Sequence, residues 1–218
     1  YFDSSRAGWI DMSVAERSPG STLKPFIYAL AMEDGLVMQE TMIEDRPGNF
    51  HGYRPRNFDM EYQGDVTVRQ ALQMSLNVPA IRLLDTVGTA RLISRLKRAG
   101  VQVALPKGQA PGLAIGLGGA GLTLEKLVQA YTALANRGEA RMLRYSTEDE
   151  ETVSTEVLTP ATAWQIADML SGVVPPQGAP RLGIAYKTGT SYGYRDAWAV
   201  GYDGRHVLGV WVGRPDGG

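Results

Sequence analysis

Apolar positions along the chain fall first at helical spacing and later at strand spacing. Phe26, Ile27, Leu30 and Ala31 follow Pro19-Gly20 and Ser21, so a first helix is predicted from near Ser21, with Pro25 tolerated in its first turn and Gly35 ending it. Ser21 suits an N-cap or first-turn position there. Val68, Ala71 and Leu72 share a face after Thr67, which predicts a second helix stopping near Ser75. A third is predicted from Pro79 to about Val87, closed by Gly88, and a fourth from Thr89 to Ala99, closed by Gly100. The strongest amphipathic pattern is Leu124, Leu127, Val128, Tyr131 and Leu134, capped by Thr123 and ended by Gly138. A sixth helix is predicted from Pro160 to Ser171, carrying Trp164, Ile166, Ala167 and Leu170.

The period then changes. Ile184–Ser191, Asp196–Tyr202 and His206–Gly213 alternate or run apolar, and Asp203-Gly204 is a two-residue hairpin signal. These strands predict a three-stranded antiparallel meander. Helices first and strands last make the fold class α+β. Residues 44–65, with Pro47-Gly48, His51-Gly52, Pro55 and Gly64 among aromatic side chains, read as a long ordered loop. The segment 104–121 reads as another, and the acidic stretch Ser146–Ser154 as a mobile surface excursion.

Composition narrows the possibilities. A chain of 218 residues with 44% hydrophobic content buries a full core and suggests one domain, with room for two lobes. A net charge of -1 argues against nucleic acid as a partner. With no cysteine, disulfides and thiolate metal sites are excluded, and the two histidines, His51 and His206, lack metal-ligand spacing, so neither a metal nor a cofactor is expected. No run approaches the ~20 apolar residues of a membrane span, and Tyr1 to Arg6 lack the apolar core of a signal peptide.

Three short segments carry candidate chemistry. In Ser21-Thr22-Leu23-Lys24 the serine and lysine lie three apart, on one helical face. A serine at a helix N-terminus meets unpaired N–H groups and a dipole that favour developing negative charge. A neutral lysine one turn on accepts its proton, and burial beside another cation would make that lysine neutral. Taken alone, the segment equally describes a capping serine and a solvent-facing lysine. Ser75-Leu76-Asn77 lies between two helices. A serine and an amide there are suited to relaying a proton and orienting a peptide carbonyl, while Asn77 also fits as an N-cap. In Lys187-Thr188-Gly189-Thr190-Ser191, on a strand, Gly189 lets a substrate backbone approach closely, Thr188 and Thr190 share a face suited to a carboxylate, and Lys187 adds positive charge. An ordinary strand with a glycine bulge is the alternative.

Together the three are far more specific. S-x-x-K, an S-x-N element and K-T-G in this order form the signature shared by penicillin-binding proteins and class A β-lactamases, with leucine here in place of the middle Asp of S-D-N. The segments Arg17 to Phe26, Ala71 to Ala80, Gly118-Gly119, Ala130-Tyr131, Ala135 to Gly138 and Lys187 to Trp198 resemble the transpeptidase domain of class A penicillin-binding proteins, the last being most similar to their 1C branch. The similarity covers nearly the whole chain and is weakest over residues 139–157.

The resemblance implies one transpeptidase domain over 1–218, with a helical lobe over roughly 36–160 and an α/β lobe from roughly 1–35 and 161–218. It implies a penicillin-binding and serine β-lactamase-like fold, truncated at both ends, so that the sheet lacks N-terminal strands. It implies Ser21 as the acylated nucleophile, Lys24 as its base, and Ser75 and Asn77 as proton relay and peptide holder. Lys187, Thr188, Gly189, Thr190 and Ser191 would line the substrate site, and the N–H groups of Ser21 and Thr190 would form the oxyanion hole. The implied activity is D-Ala-D-Ala transpeptidation or carboxypeptidation on peptidoglycan stem peptides, blocked by β-lactams, in the periplasm or on the outer face of the bacterial inner membrane; the membrane would be met only through segments outside this chain. Two rivals stay open. A serine β-lactamase would need a deacylating glutamate, and Glu125, Glu139 and Glu148 to Glu151 lack its context. A penicillin-sensing or peptide-binding module without turnover would keep the same motifs. Two further patterns have weaker functional readings. Gly116 to Gly121 fits G-x-G-x-x-G but lacks a βαβ context. Phe50, Tyr53, Phe58 and Tyr62 form a packed loop or a groove rim.

Overall fold

The structure is a computed structural model that describes residues 8–106, 108, 110–150 and 154–217. Tyr1 to Arg6 and residues 151–153 of the acidic excursion lie outside the described residues. A 3₁₀ turn, Gly20–Leu23, runs into α1, Lys24–Glu33. Every residue of α1 from Lys24 to Ala31 is buried, as a helix apolar on all sides requires. Around it pack α2 (Val68–Gln73), α3 (Asn77–Val87), α4 (Thr89–Arg98) and α6 (Pro160–Ser171). The remaining helix, α5 (Leu124–Ala135), lies against α6 and the C-terminal sheet. Phe26, Tyr131 and Tyr202 meet edge to face at 5.6 and 6.3 Å and tie α1 to α5 and the sheet.

Local chemistry sets the helix starts. Thr67 and Gln70 form a reciprocal capping box at α2, and Thr123 and Thr159 accept the N–H of Lys126 and Thr162 at α5 and α6. Gly88, at φ 92°, turns the chain between α3 and α4. Helix α3 begins two residues before the predicted Pro79, because proline is accommodated within the first turn.

Among the described residues the strands form three antiparallel sheets. Two short ones were not predicted: β1 (Met42–Asp45) with β2 (Gly64–Thr67), and β3 (Glu139–Ala140) with β4 (Thr155–Glu156). The segment 44–65 is therefore a loop held between two strands. Strands of two to four residues are too short to show an alternation above noise. The larger sheet is the predicted meander, β5 (Ala185–Thr190), β6 (Asp196–Tyr202) and β7 (Val207–Gly213), in that order. Among the described residues β5 and β7 are its two edges. Gly204, at φ 87°, leads the β6–β7 turn, and Asp203 caps it by accepting the N–H of Arg205 and His206. Trp198, Val200 and Tyr202 face the helices, whereas Leu208, Val210 and Val212 of β7 are exposed on the other face.

Candidate active site

Ser21 sits in the 3₁₀ turn at the head of α1, and three hydrogen bonds with distant elements and one local bond clamp this turn. Trp198 Nε1 of β6 donates to Ser18 O at 2.7 Å, and Tyr131 Oη of α5 donates to Thr22 O at 2.7 Å. Ser18 Oγ donates to Gly118 O at 2.8 Å, and Thr22 Oγ1 to Pro19 O at 2.9 Å. Ser21 makes no side-chain cap; its carbonyl accepts the Lys24 N–H, so the N-cap reading is replaced by an internal turn position.

Lys24 is fully buried, one turn on. Its Nζ donates to Asn77 Oδ1 and to Ser75 O, both at 2.6 Å, and lies 3.4 Å from Ser75 Oγ. Lys187 Nζ, from β5, donates to the same Ser75 Oγ at 2.7 Å and to Thr188 O at 2.8 Å. The two lysines thus converge on one hydroxyl. Burial and then the Lys187 charge hold Lys24 well below the usual lysine range, with Asp45 opposing them; burial pushes Lys187 down to about 7. Ser75 occupies the left-handed region at φ 58°, uncommon for a residue with a side chain. Asn77 is the first residue of α3 rather than its cap, and its side chain turns inward to Lys24.

Two residues that the sequence did not single out complete the cluster. Asp45, at the end of β1, is fully buried and accepts from Asn57 Nδ2 at 2.9 and 2.7 Å and from Gln63 N at 2.8 Å. Asn57 Oδ1 accepts the Asn77 N–H at 2.8 Å. Neither belongs to a recognisable motif, and both lie in the segment read as a loop. A buried-polar signal exists only once β1 and β2 are paired.

The β5 segment lies directly on the turn that carries Ser21. A Cβ on Gly20 would be 2.5 Å from Thr190 O, and one on Gly189 would be 2.5 Å from Pro19 O and 3.1 Å from Ser21 N. The close approach that Gly189 permits is therefore to the protein's own Ser21 turn. Lys187 is buried, Thr188 exposed and Thr190 half-buried. Ser191 is buried, and its Oγ accepts the Asp196 N–H at 2.9 Å, which joins β5 to β6. The structure thus brings together Ser21, Lys24, Ser75, Asn77, Lys187, Gly189 and Thr190, while the Ser191 hydroxyl is engaged in the turn.

The glycines of 116–121 act in packing. Gly118, at φ 95°, lies where a Cβ would be 2.4 Å from Ser18 Oγ, and a Cβ on Gly116 would press into Leu84, Ile27 and Ile81. They let this segment close behind Ser21. Of the aromatic cluster, Phe50 is buried under Arg82, while the exposed Phe58 meets Tyr194 edge to face at 5.4 Å. A groove of about 660 Å³ beside Trp164 and the Asp203-Gly204 turn contains none of the cluster. A smaller one of about 420 Å³, lined by Pro47, Arg54, Arg56 and Tyr62, borders it through Arg56, whose carbonyl accepts from Asn77 Nδ2 at 2.6 Å.

The chain is similar in sequence and fold to known proteins. Residues 11–213 match the family model described as the penicillin binding protein transpeptidase domain. The chain is 43% identical to penicillin-binding protein 1C of Escherichia coli K12, over 99% of its own length and 28% of that protein's. It is 32% identical to penicillin-binding protein 1A of Neisseria flavescens, over 91% of its own length and again 28% of the relative's. Its fold is that of the PonA1 protein from Mycobacterium tuberculosis in complex with penicillin V, at a TM-score of 0.78 and 23% identity, covering 95% of this chain and 63% of that one.

Proposed function

Because the chain belongs to the penicillin-binding protein transpeptidase domain family, we propose that it is a serine D,D-transpeptidase that cross-links peptidoglycan stem peptides through an acyl-enzyme on Ser21. The observation that carries this reading is the convergence of Lys24 and Lys187 on Ser75 Oγ, at 3.4 and 2.7 Å, with Asn77 Oδ1 on Lys24 at 2.6 Å. Desolvation beside a second cation shifts a lysine toward its neutral form, which is what a base for a serine hydroxyl needs. In this reading Lys24 takes the Ser21 proton as Oγ attacks the carbonyl of the penultimate D-Ala. The Ser21 and Thr190 N–H groups hold the oxyanion, where one donor is worth roughly 10²–10³ in rate. The hydrogen-bonded path Lys24–Ser75–Lys187 supplies a proton to the departing D-Ala amine. An acceptor amine, or water in carboxypeptidation, then attacks the ester and restores Ser21.

Lys187, Thr188 and Thr190 are proposed to hold the terminal carboxylate, with Gly189 and Ser191 shaping the strand that presents them. The substrate peptides place the work on the extracytoplasmic face of a bacterial membrane. We retain the division into a helical lobe (36–160) and an α/β lobe (1–35 and 161–218), because the cluster forms where segments from both meet.

Intact-mass spectrometry after incubation with labelled penicillin tests the proposal. One persistent adduct is expected, mapped to the peptide containing Ser21 and absent from Ser21→Ala. An adduct on another residue would refute the assignment, and rapid release of hydrolysed penicillin would favour a β-lactamase.

A further inference from the structure

The interior of the site contains a buried carboxylate that no step above uses. Asp45 is fully buried, and among the described residues no cation pairs with it at ion-pair distance; neutral N–H donors hold it instead. From it hydrogen bonds run through Asn57 to the backbone N–H of Asn77, whose side-chain amide in turn meets Lys24, and each side-chain amide can be oriented in only one way. Asn57 Nδ2 faces the Asp45 carboxylate and Glu61 O, at 2.8 Å from the latter, both of which only accept. Its Oδ1 must therefore face the Asn77 N–H, at 2.8 Å. Asn77 Nδ2 faces the Arg56 carbonyl at 2.6 Å, which leaves its Oδ1 for Lys24 Nζ, also at 2.6 Å.

We propose that Asp45 and Asn57 are positioning residues that set the direction of the Lys24 lone pair. A neutral amine has two N–H donors and one lone pair. Around Lys24 Nζ stand two oxygens that only accept, Asn77 Oδ1 and Ser75 O, both at 2.6 Å, and one hydroxyl, Ser75 Oγ, at 3.4 Å. The two carbonyl oxygens take both N–H groups. The lone pair is left for the hydroxyl side, where Ser75 Oγ lies, and Ser21 stands one turn before Lys24 in the chain. Rotation of the Asn77 amide would present an N–H to Lys24 and turn the lone pair toward it; the Arg56 carbonyl blocks that rotation, and the Asp45–Asn57 arm fixes the Asn77 backbone from which the amide reaches Lys24. The Asp45 charge acts on Lys24 through space, across a dry interior that screens it weakly.

The charged and titratable groups facing Lys24 are Lys187 from β5, Asp45 from β1 and, on its own helix, Tyr28, whose phenol burial keeps neutral. Asp45 raises the proton affinity of Lys24, whereas burial and Lys187 lower it. Removing the Asp45 charge should therefore move the acidic limb of the acylation profile to lower pH, while loss of alignment lowers the plateau.

This inference rests on Lys24 being the base, and the test separates the two. The rate of fluorescent penicillin acylation is measured from pH 5 to 9, normalised to the titratable fraction of folded protein, for wild type, Lys24→Ala, Asp45→Asn, and the exchange Asp45→Asn with Asn57→Asp. The exchange keeps a carboxylate acceptor for the Asn77 N–H and moves the charge one link closer to Lys24, so it remains informative if the single variant folds poorly. Asp45→Asn is expected to lose on the order of 10- to 100-fold in plateau rate with its limb at lower pH. The exchange should recover rate with its limb above that of Asp45→Asn. A wild-type rate and limb in Asp45→Asn, with Lys24→Ala inactive, would overturn the positioning role alone. A lowered melting temperature with an unmoved limb in both variants would reduce Asp45 to a structural residue. Undiminished acylation by Lys24→Ala would overturn the base assignment and this proposal with it.

Discussion

Gly20 and Thr190 are in backbone contact: a Cβ on the glycine would lie 2.5 Å from the carbonyl oxygen of the threonine and 2.7 Å from its nitrogen. The nucleophile turn and the edge of β5 are thus seated on one another with no side chain between them. This seating sets the spacing of the Ser21 and Thr190 N–H groups, which we propose bind the oxyanion.

Replacing Gly20 with alanine should separate them. The left-handed backbone at φ 54° alone costs an L-residue about 1–2 kcal/mol, and the Cβ must also push β5 away. We expect Gly20→Ala to melt several degrees lower and to acylate at least about 10²-fold more slowly, the scale of one lost oxyanion donor. Stopped-flow penicillin acylation with a parallel melt measures both, and a variant that acylates normally would show that the contact does not set the site.

Lys24→Met keeps the length of the side chain and removes the amine. Acylation should fall by roughly 10²–10⁴, the contribution of a positioned general base. The fold should survive, because the unfolded chain no longer gives up a lysine proton on folding, which offsets the hydrogen bonds lost to Ser75 O and Asn77 Oδ1. Circular dichroism and the acylation rate test the two halves separately.

Lys187 should give the site an alkaline limit. Burial holds it at about 7, so the free site loses this charge as pH rises through that value, and affinity for a carboxylate-bearing β-lactam should weaken toward pH 9. In the same range the unfolded chain still carries the lysine proton, up to about 10. The unfolded state then binds more protons, and stability should rise from pH 7 toward 10. Lys187→Met should lose both dependences. Melts and binding titrations across pH 6–9 would show them, and a wild-type affinity flat over that range would exclude the role.

Tyr131→Phe removes the hydroxyl that donates to Thr22 O at 2.7 Å in the buried centre of the clamp. Leaving that carbonyl unpaired should cost about 1–3 kcal/mol, and each kcal/mol lowers the melting temperature by about 2–4 °C in a chain of this size. Acylation should slow less than in Gly20→Ala, because Trp198 and Ser18 still hold the turn.

What the sequence disclosed depends on how locally each feature is encoded. The six helices and the meander were legible because periodicity and caps repeat over ten or so residues, as in Leu124–Ala135 and Pro160–Ser171. The three motifs were legible because their spacing is fixed by the chemistry they share. Asp45 and Asn57 were not, since an aspartate after Met42-Ile43-Glu44 and an asparagine after Arg56 look like surface residues until β1 pairs with β2. Gly189 was marked as a point of close approach, but the partner, Pro19 O, is more than 160 residues away and appears only in the fold. The glycines of 116–121 looked like a ligand loop because packing against Ser18 and packing against a phosphate demand the same missing Cβ.

The cluster around Ser75 joins parts of the chain that are remote in sequence: Lys24 is 51 residues before it and Lys187 112 residues after it. No partial fold can build such a meeting point, because loop closure across those distances is rewarded only when the helices and the sheet have both formed. If β-lactams acylate Ser21 as proposed, a fluorescent one becomes a conformational probe. The fraction of chains it labels counts the molecules that have finished folding, and labelling at timed intervals during refolding would follow the last event of assembly directly.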